Sequence, residues 1–189
     1  MSESVEATLA RLVRLFESLG IEQYALTGGI AFGIWAEPRE TRDLDVTAVL
    51  PPGALLPLLA RFDGMRVGAS EIPDIVRFRL RDWDVDLFVA KTDEDLEILG
   101  RAVTVDIGGS SVRVVAVEDL IIHKLRKLHS DRRRVLRDAA DLRALFERHP
   151  QLDFSWIERH CDPADHDLLA AVRDASDEEL LSRLVRRMP

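Results

Sequence analysis

The chain has 189 residues, 47% of them hydrophobic, and one cysteine, Cys161. That suffices for one substantial core with a small helical annex, and it excludes both an internal disulfide framework and a metal cage of several thiolates. A formal charge of −8 argues against nonspecific duplex binding by the whole surface, and no apolar run approaches the roughly 18 residues of a membrane span, so a cytoplasmic protein with no membrane partner is expected.

In chain order, the spacing predicts a helix over about residues 4–19, with Val5, Leu9, Leu12, Val13 and Phe16 on one face and Gly20 as its stop. The segment has helical spacing rather than the apolar block of a signal peptide. "QYALTGG" reads as a short buried strand breaking at glycine, "IAFGIWA" as a helix, "PRETR" as a loop and "DLDVTAVL" as an alternating strand. Pro51, Pro52 and Gly53 punctuate before a short helix near 54–61. "DIVRFRLRDWDVDLFVA" reads as two strands joined by a turn at Asp82 and Trp83, which sets Arg81 opposite Asp84 and Arg79 opposite Asp86. A helix near 93–99 precedes strands "RAVTVDI" and "SVRVVAV", with Gly108 and Gly109 between them. From Val117 onward the pattern is helical, broken near Ser130, Pro150 and Pro163. The expected class is α/β (α+β): a mixed sheet flanked by helices over residues 1–116, then a helical C-terminal region, 117–189, packed on it.

Asp43 and Asp45 alternate on one strand and so share a face, about 6.6 Å apart along the backbone. Like charges at that spacing repel unless a cation sits between them, and a hard divalent ion is the simplest one. Two solvated acids on an edge strand are the plainer alternative. Gly28 and Gly29, after a short strand and before a helix, suit a backbone turn approaching phosphate, with Arg39 and Arg42 in the following loop. Two metals need a third carboxylate. Asp84, nearer the hairpin tip, is explained by a surface ion pair; Asp86, deeper among apolar neighbours, is the expected third ligand, although an exchange of the two stays open.

Further on, Lys124 falls beside the helical stripe of Val117, Ile121 and Leu128, and Asp138 falls between Leu142 and Leu145 in the next helix. A carboxylate there needs a partner: Lys124, an arginine or a ligand, with Asp141 flanking it. Only three of the 26 basic residues are lysine, which favours a compact point charge at 124, while a plain tie between two helices remains as well supported by spacing. From Ile121 to Arg137 seven basic residues, Arg132, Arg133 and Arg134 among them, face one acid, Asp131. His160, Cys161 and His166 lack a fourth ligand and are rejected as a zinc site. Trp35 and Trp83 are expected to pack, and the acidic amphipathic tail to form a packing helix.

Taken together, T-G-G at 27–29, R-x-T-x-D-L-D at 39–45, V-D-L at 85–87, the helical Lys124 and "RDAADL" at 137–142 resemble the nucleotidyltransferase superfamily of the polymerase-beta type. More closely they resemble the AbiEii-like nucleotidyltransferases, which include toxins of bacterial toxin-antitoxin and phage-defence systems. The resemblance spans roughly residues 20–146, and the helices after Gln151 carry none. It implies the nucleotidyltransferase fold and transfer of a nucleoside monophosphate from a triphosphate to an acceptor, with pyrophosphate leaving. It further implies backbone contacts from Gly28 and Gly29 to the triphosphate, two Mg²⁺ ions held by Asp43, Asp45 and Asp86, and Thr41 on a phosphate or bracing the carboxylate loop. Arg39, Arg42 and Lys124 would meet the triphosphate, with Asp138 or Asp141 positioning the lysine. The acceptor is open among tRNA or another RNA, a protein and an antibiotic-like small molecule, and an antitoxin is an implied partner. The competing class is a nucleotide-binding regulator on the same fold without catalysis.

Overall fold

A computed structural model describes residues 4–38, 40–41, 43–62, 66–67, 74–130, 135–176, 179–180 and 182. The chain gathers into two compact units, Met1–Ala31 with Pro38–Ala116, and Phe32–Glu37 with Val117–Pro189. The short stretch 32–37 gathers with the helices from Val117 onward. Its apolar side chains and one carbonyl find their partners there: Trp35 meets the His149 ring edge-on at 5.9 Å, and its carbonyl oxygen lies 2.7 Å from His149 Nε2.

The first unit opens with helix α1 (Val5–Leu19). Ser4 caps it by accepting the Ala7 N–H, and Gly20, at φ +68°, closes it in the left-handed conformation that glycine adopts without steric penalty. Its buried face is Thr8, Leu9, Leu12, Leu15 and Phe16, so the stripe turns slightly from the expected one, leaving Val5 and Val13 half-buried.

Among the described residues seven strands follow: β1 (Tyr24–Thr27), β2 (Asp43–Ala48), β3 (Arg66–Val67), β4 (Ile75–Leu80), β5 (Trp83–Val89), β6 (Val103–Ile107) and β7 (Ser110–Val114). They form one mixed sheet in the order β3-β4-β5-β2-β1-β7-β6. Interior β1 is buried at every position, pairing antiparallel with β2 and parallel with β7. Helix α2 (Gly28–Trp35) leaves β1 directly, without a linker; α3 (Leu55–Leu59) follows β2; and α4 (Asp93–Arg101) starts from a reciprocal cap between Thr92 and Asp95.

The hairpin of β4 and β5 corrects the expected turn. Leu80 faces Trp83, so the turn residues are Arg81 and Asp82, with Arg81 at φ +60°. Trp83 is 8% exposed: its indole gains more by burial in the strand than by standing at the tip. Arg79 therefore faces Asp84 and Arg77 faces Asp86, each one step of the same face away from the expected register.

The second unit carries α5 (Val117–Ser130), α6 (Val135–Arg148), α7 (Phe154–His160), a 3₁₀ turn (Pro163–Asp165) and α8 (His166–Asp174). Helix α5 packs on α6 and α7, and α6 packs on α8. The basic residues Arg132, Arg133 and Arg134, and most of the tail after Ser176, lie outside the described residues. No helix among the described residues is long and apolar enough to cross a membrane.

Candidate active site

Parallel pairing of β2 with β5 gathers the acids of the first unit. Asp43 faces Asp84 and Asp45 faces Asp86, so four aspartates occupy adjoining positions on one face of the sheet. Leu44, Val46, Val85 and Leu87 alternate with them and are buried on the other face. The apolar set fixes the register, because a slip by one residue would bury the carboxylates.

Gly28 explains why glycine stands at the end of β1. It has φ +64°, and a Cβ built there would lie 1.8 Å from Asp45 Oδ2. The α-carbon thus makes room for the carboxylate, and any side chain would both strain the backbone and displace Asp45. Gly29 is less constrained, since its Cβ would lie 3.3 Å from Thr41 Oγ1. Thr41 accepts the Asp43 N–H at 3.3 Å, bracing the loop against the first residue of β2. Arg39 and Arg42, expected beside it, lie outside the described residues.

The two candidates for the third carboxylate differ in surroundings. Asp84 is 65% exposed and lies 3.9 Å from Arg79 Nε, the surface pair that its place near the tip suggests, with Arg79 rather than Arg81 as partner. Asp86 is 34% exposed, sits across from Asp45, and accepts a bond from Arg77 Nε at 3.2 Å. Arg77 is the residue the sequence reading missed. Its signal was available, because it alternates with Val76 and Phe78 and so falls on the carboxylate face. Among the described residues, Asp43 and Asp45 have no cationic partner, and no three acidic or histidine side chains converge into a finished metal cage. The donors are all hard carboxylate oxygens, which fits a cation such as Mg²⁺ rather than a thiolate- or imidazole-bound metal.

The second unit holds a buried charge cluster of its own. Lys124 on α5 is 4% exposed, with Nζ 3.3 Å from Asp138 Oδ1 and 2.5 Å from Asp141 Oδ2 on α6. The Phe32 ring centroid lies 5.2 Å from the same Nζ. Both aspartates are buried, three residues apart on one helix face. Lys124 therefore meets both acids rather than one of the two.

A family model described as nucleotidyl transferase AbiEii toxin, type IV TA system, matches residues 10–188. The chain belongs to the AbiEii nucleotidyltransferase family. It is accordingly an enzyme of the nucleotidyltransferase class. No curated protein matches its sequence. Among solved structures, the AbiEii-family chain shares its fold with the antibiotic-resistance factor ANT(2'')-Ia: TM-score 0.57, 16% identity, covering 96% of this chain and 95% of that one. An antigenic nucleotidyltransferase-like protein from Paracoccidioides brasiliensis gives TM-score 0.54 at 16% identity, covering 90% and 92%. The lincosamide antibiotic adenylyltransferase LnuA gives 0.51 at 13%, covering 76% and 98%.

Other residues of this AbiEii-family member settle into packing roles. His160 Nδ1 lies 2.9 Å from the Trp156 carbonyl and His166 Nε2 3.1 Å from the Glu158 carbonyl, while burial pushes the Cys161 thiol above its ordinary range. Trp156 donates to buried Asp119 at 2.7 Å, tying α7 to α5.

Two outcomes follow from these contacts. Gly28→Ala should lower stability by about 1–3 kcal/mol, from backbone strain and the displaced Asp45, whereas Gly29→Ala should have a smaller effect; urea unfolding of both variants checks this. Asp138→Ala should destabilise by about 3–5 kcal/mol, because it strips a buried lysine of one of its two acids, and a melt matching the parent would contradict the buried cluster.

Proposed function

We propose that the carboxylate face is the centre at which this enzyme moves a nucleoside monophosphate from a nucleoside triphosphate to an acceptor hydroxyl. The observation that carries this reading is the placement of Asp45 against the Gly28 backbone and across from Asp86. A retired nucleotide pocket needs no such gathering of acids, so the binding-only regulator is the weaker reading.

In the reaction, the acceptor oxygen attacks the α-phosphorus, the bond to the bridging oxygen of the β-phosphate breaks, and pyrophosphate leaves with that electron pair. Asp86 takes the proton from the attacking hydroxyl, and Arg77, now on Asp86, must first release it. Gly28 and Gly29 offer the triphosphate a backbone surface with no side chain in the way. Asp43, Asp45 and Asp86 would hold Mg²⁺, two ions being the expected number, which supplies neutralisation of the phosphate charge. Positioning and charge neutralisation are the greater part of catalysis for phosphoryl transfer. Lys124 is assigned to phosphate charge on the resemblance alone, and Asp138 and Asp141 to its positioning on the ion pairs they form with it. Arg39 and Arg42 are assigned to the triphosphate on the resemblance alone.

The family's description as a toxin of a type IV system supports a toxin role with an antitoxin partner. An RNA acceptor, tRNA included, rests on the basic run 124–137, from which Lys124 is withdrawn by its burial. An antibiotic acceptor is the alternative that the resistance-factor neighbours suggest. Incubation with each labelled triphosphate and whole-cell extract shows which fraction takes the label.

Asp43→Asn or Asp86→Asn should reduce divalent-dependent pyrophosphate release by 10³-fold or more while leaving the thermal melt intact, since each removes a charge that transfer needs and packing does not. Near-parent turnover in either variant would remove it from the centre. Lys124→Ala takes the cation from two buried aspartates, so it should both lower the melting temperature and raise the triphosphate concentration needed for half-maximal pyrophosphate release.

A further inference from the structure

Four arginines of the first unit line a groove of about 480 Å³ that the transfer reaction does not use. Arg11 and Arg14 stand one turn apart on α1, Arg61 follows α3, and Arg81 occupies the β4–β5 turn. Arg61 is held toward α1 by the bond that its guanidinium donates to Ser18 Oγ at 2.7 Å. No lining residue is acidic. Its apolar lining is Leu15, Phe62 and Leu80, and the Phe62 ring lies 4.6 Å from that of Phe78, tilted by 30°.

The groove is separate from the carboxylate centre. On β4, Arg77 and Arg79 share the face of Asp86 and Asp84, whereas Phe78 and Leu80 alternate onto the opposite face. Leu80 lines the groove, which therefore opens on the side of the sheet away from the aspartates.

We propose that this groove binds a compact polyphosphate anion, of the nucleoside or inorganic polyphosphate class, at a site distinct from the substrate triphosphate. Charge per volume decides among anions. The groove falls within the range of small-molecule sites, about 300–1,000 Å³, and presents four guanidinium groups. A phosphodiester strand brings one charge per nucleotide, and an acidic peptide at most one per residue at about 3.3–3.6 Å spacing. A triphosphate group concentrates three to four charges in the same space. Guanidinium forks match phosphate oxygens two at a time, so each of the four arginines can meet two of them. Phe62 offers an apolar edge to the remainder of such a ligand.

The test is calorimetric titration of the full chain with inorganic tripolyphosphate, without divalent ions, comparing the parent with Arg14→Gln/Arg61→Gln and, separately, Arg81→Gln. These side chains are exposed, so the variants should melt with the parent and retain its basal nucleotidyl transfer. The double variant should bind tripolyphosphate at least tenfold more weakly, and Arg14→Lys/Arg61→Lys should recover part of the loss. Equal affinity in parent and variants would overturn the site. A single-stranded oligonucleotide or a glutamate-rich peptide binding more tightly than tripolyphosphate, with the same dependence on the arginines, would overturn the ligand class. Because this assay needs no transfer, its outcome is independent of the catalytic reading.

Discussion

The close approach of the Asp45 carboxylate to the α-carbon of Gly28 is the constraint around which the first unit is organised. It holds only because β1 and β2 pair antiparallel with Thr27 opposite Asp45, so the end of one strand delivers the glycine where the other delivers the acid. The parallel pairing of β2 with β5 then sets Asp86 beside them. Three segments distant in sequence thus meet at one place, through a register that the buried alternate residues enforce.

That arrangement stores electrostatic repulsion. Asp84 and Asp86 are eased by arginines from β4, but Asp43 and Asp45 have no such partner among the described residues. Neighbouring carboxylates on one face are unfavourable unless a cation joins them, so under the proposed function a bound cation with its triphosphate would relieve that repulsion. The buried Lys124 cluster is the opposite case: one cation already compensated by two acids, with its geometry set by α5 and α6. Burial of this kind holds a lysine in one rotamer at the expense of desolvation.

Much of this was legible in the sequence, because period and punctuation are local. The T-G-G turn, the D-L-D strand, the D of V-D-L and the Lys124–Asp138 stripe all follow from alternation or helical spacing. What stayed illegible depended on packing at longer range. The hairpin turn fell one residue early because Trp83 is drawn into the core, and that moved every arginine opposite β5. Residues 32–37 went with the helical unit because Trp35 finds His149 there, a contact across more than a hundred residues that no local pattern encodes. The arginine groove likewise draws on α1, the end of α3 and a hairpin tip, each unremarked alone.

The central claim is that the carboxylate face exists to hold a divalent cation with a triphosphate, and a thermal melt of Asp45→Asn tests it most directly. Asparagine keeps the shape that Gly28 accommodates and removes one of the repelling charges. Without ligands the variant should melt at or above the parent, and Mg²⁺ with a non-hydrolysable triphosphate should raise the melting temperature of the parent but not of the variant. A variant that melts well below the parent, or that shows the same ligand-induced rise, would contradict the account.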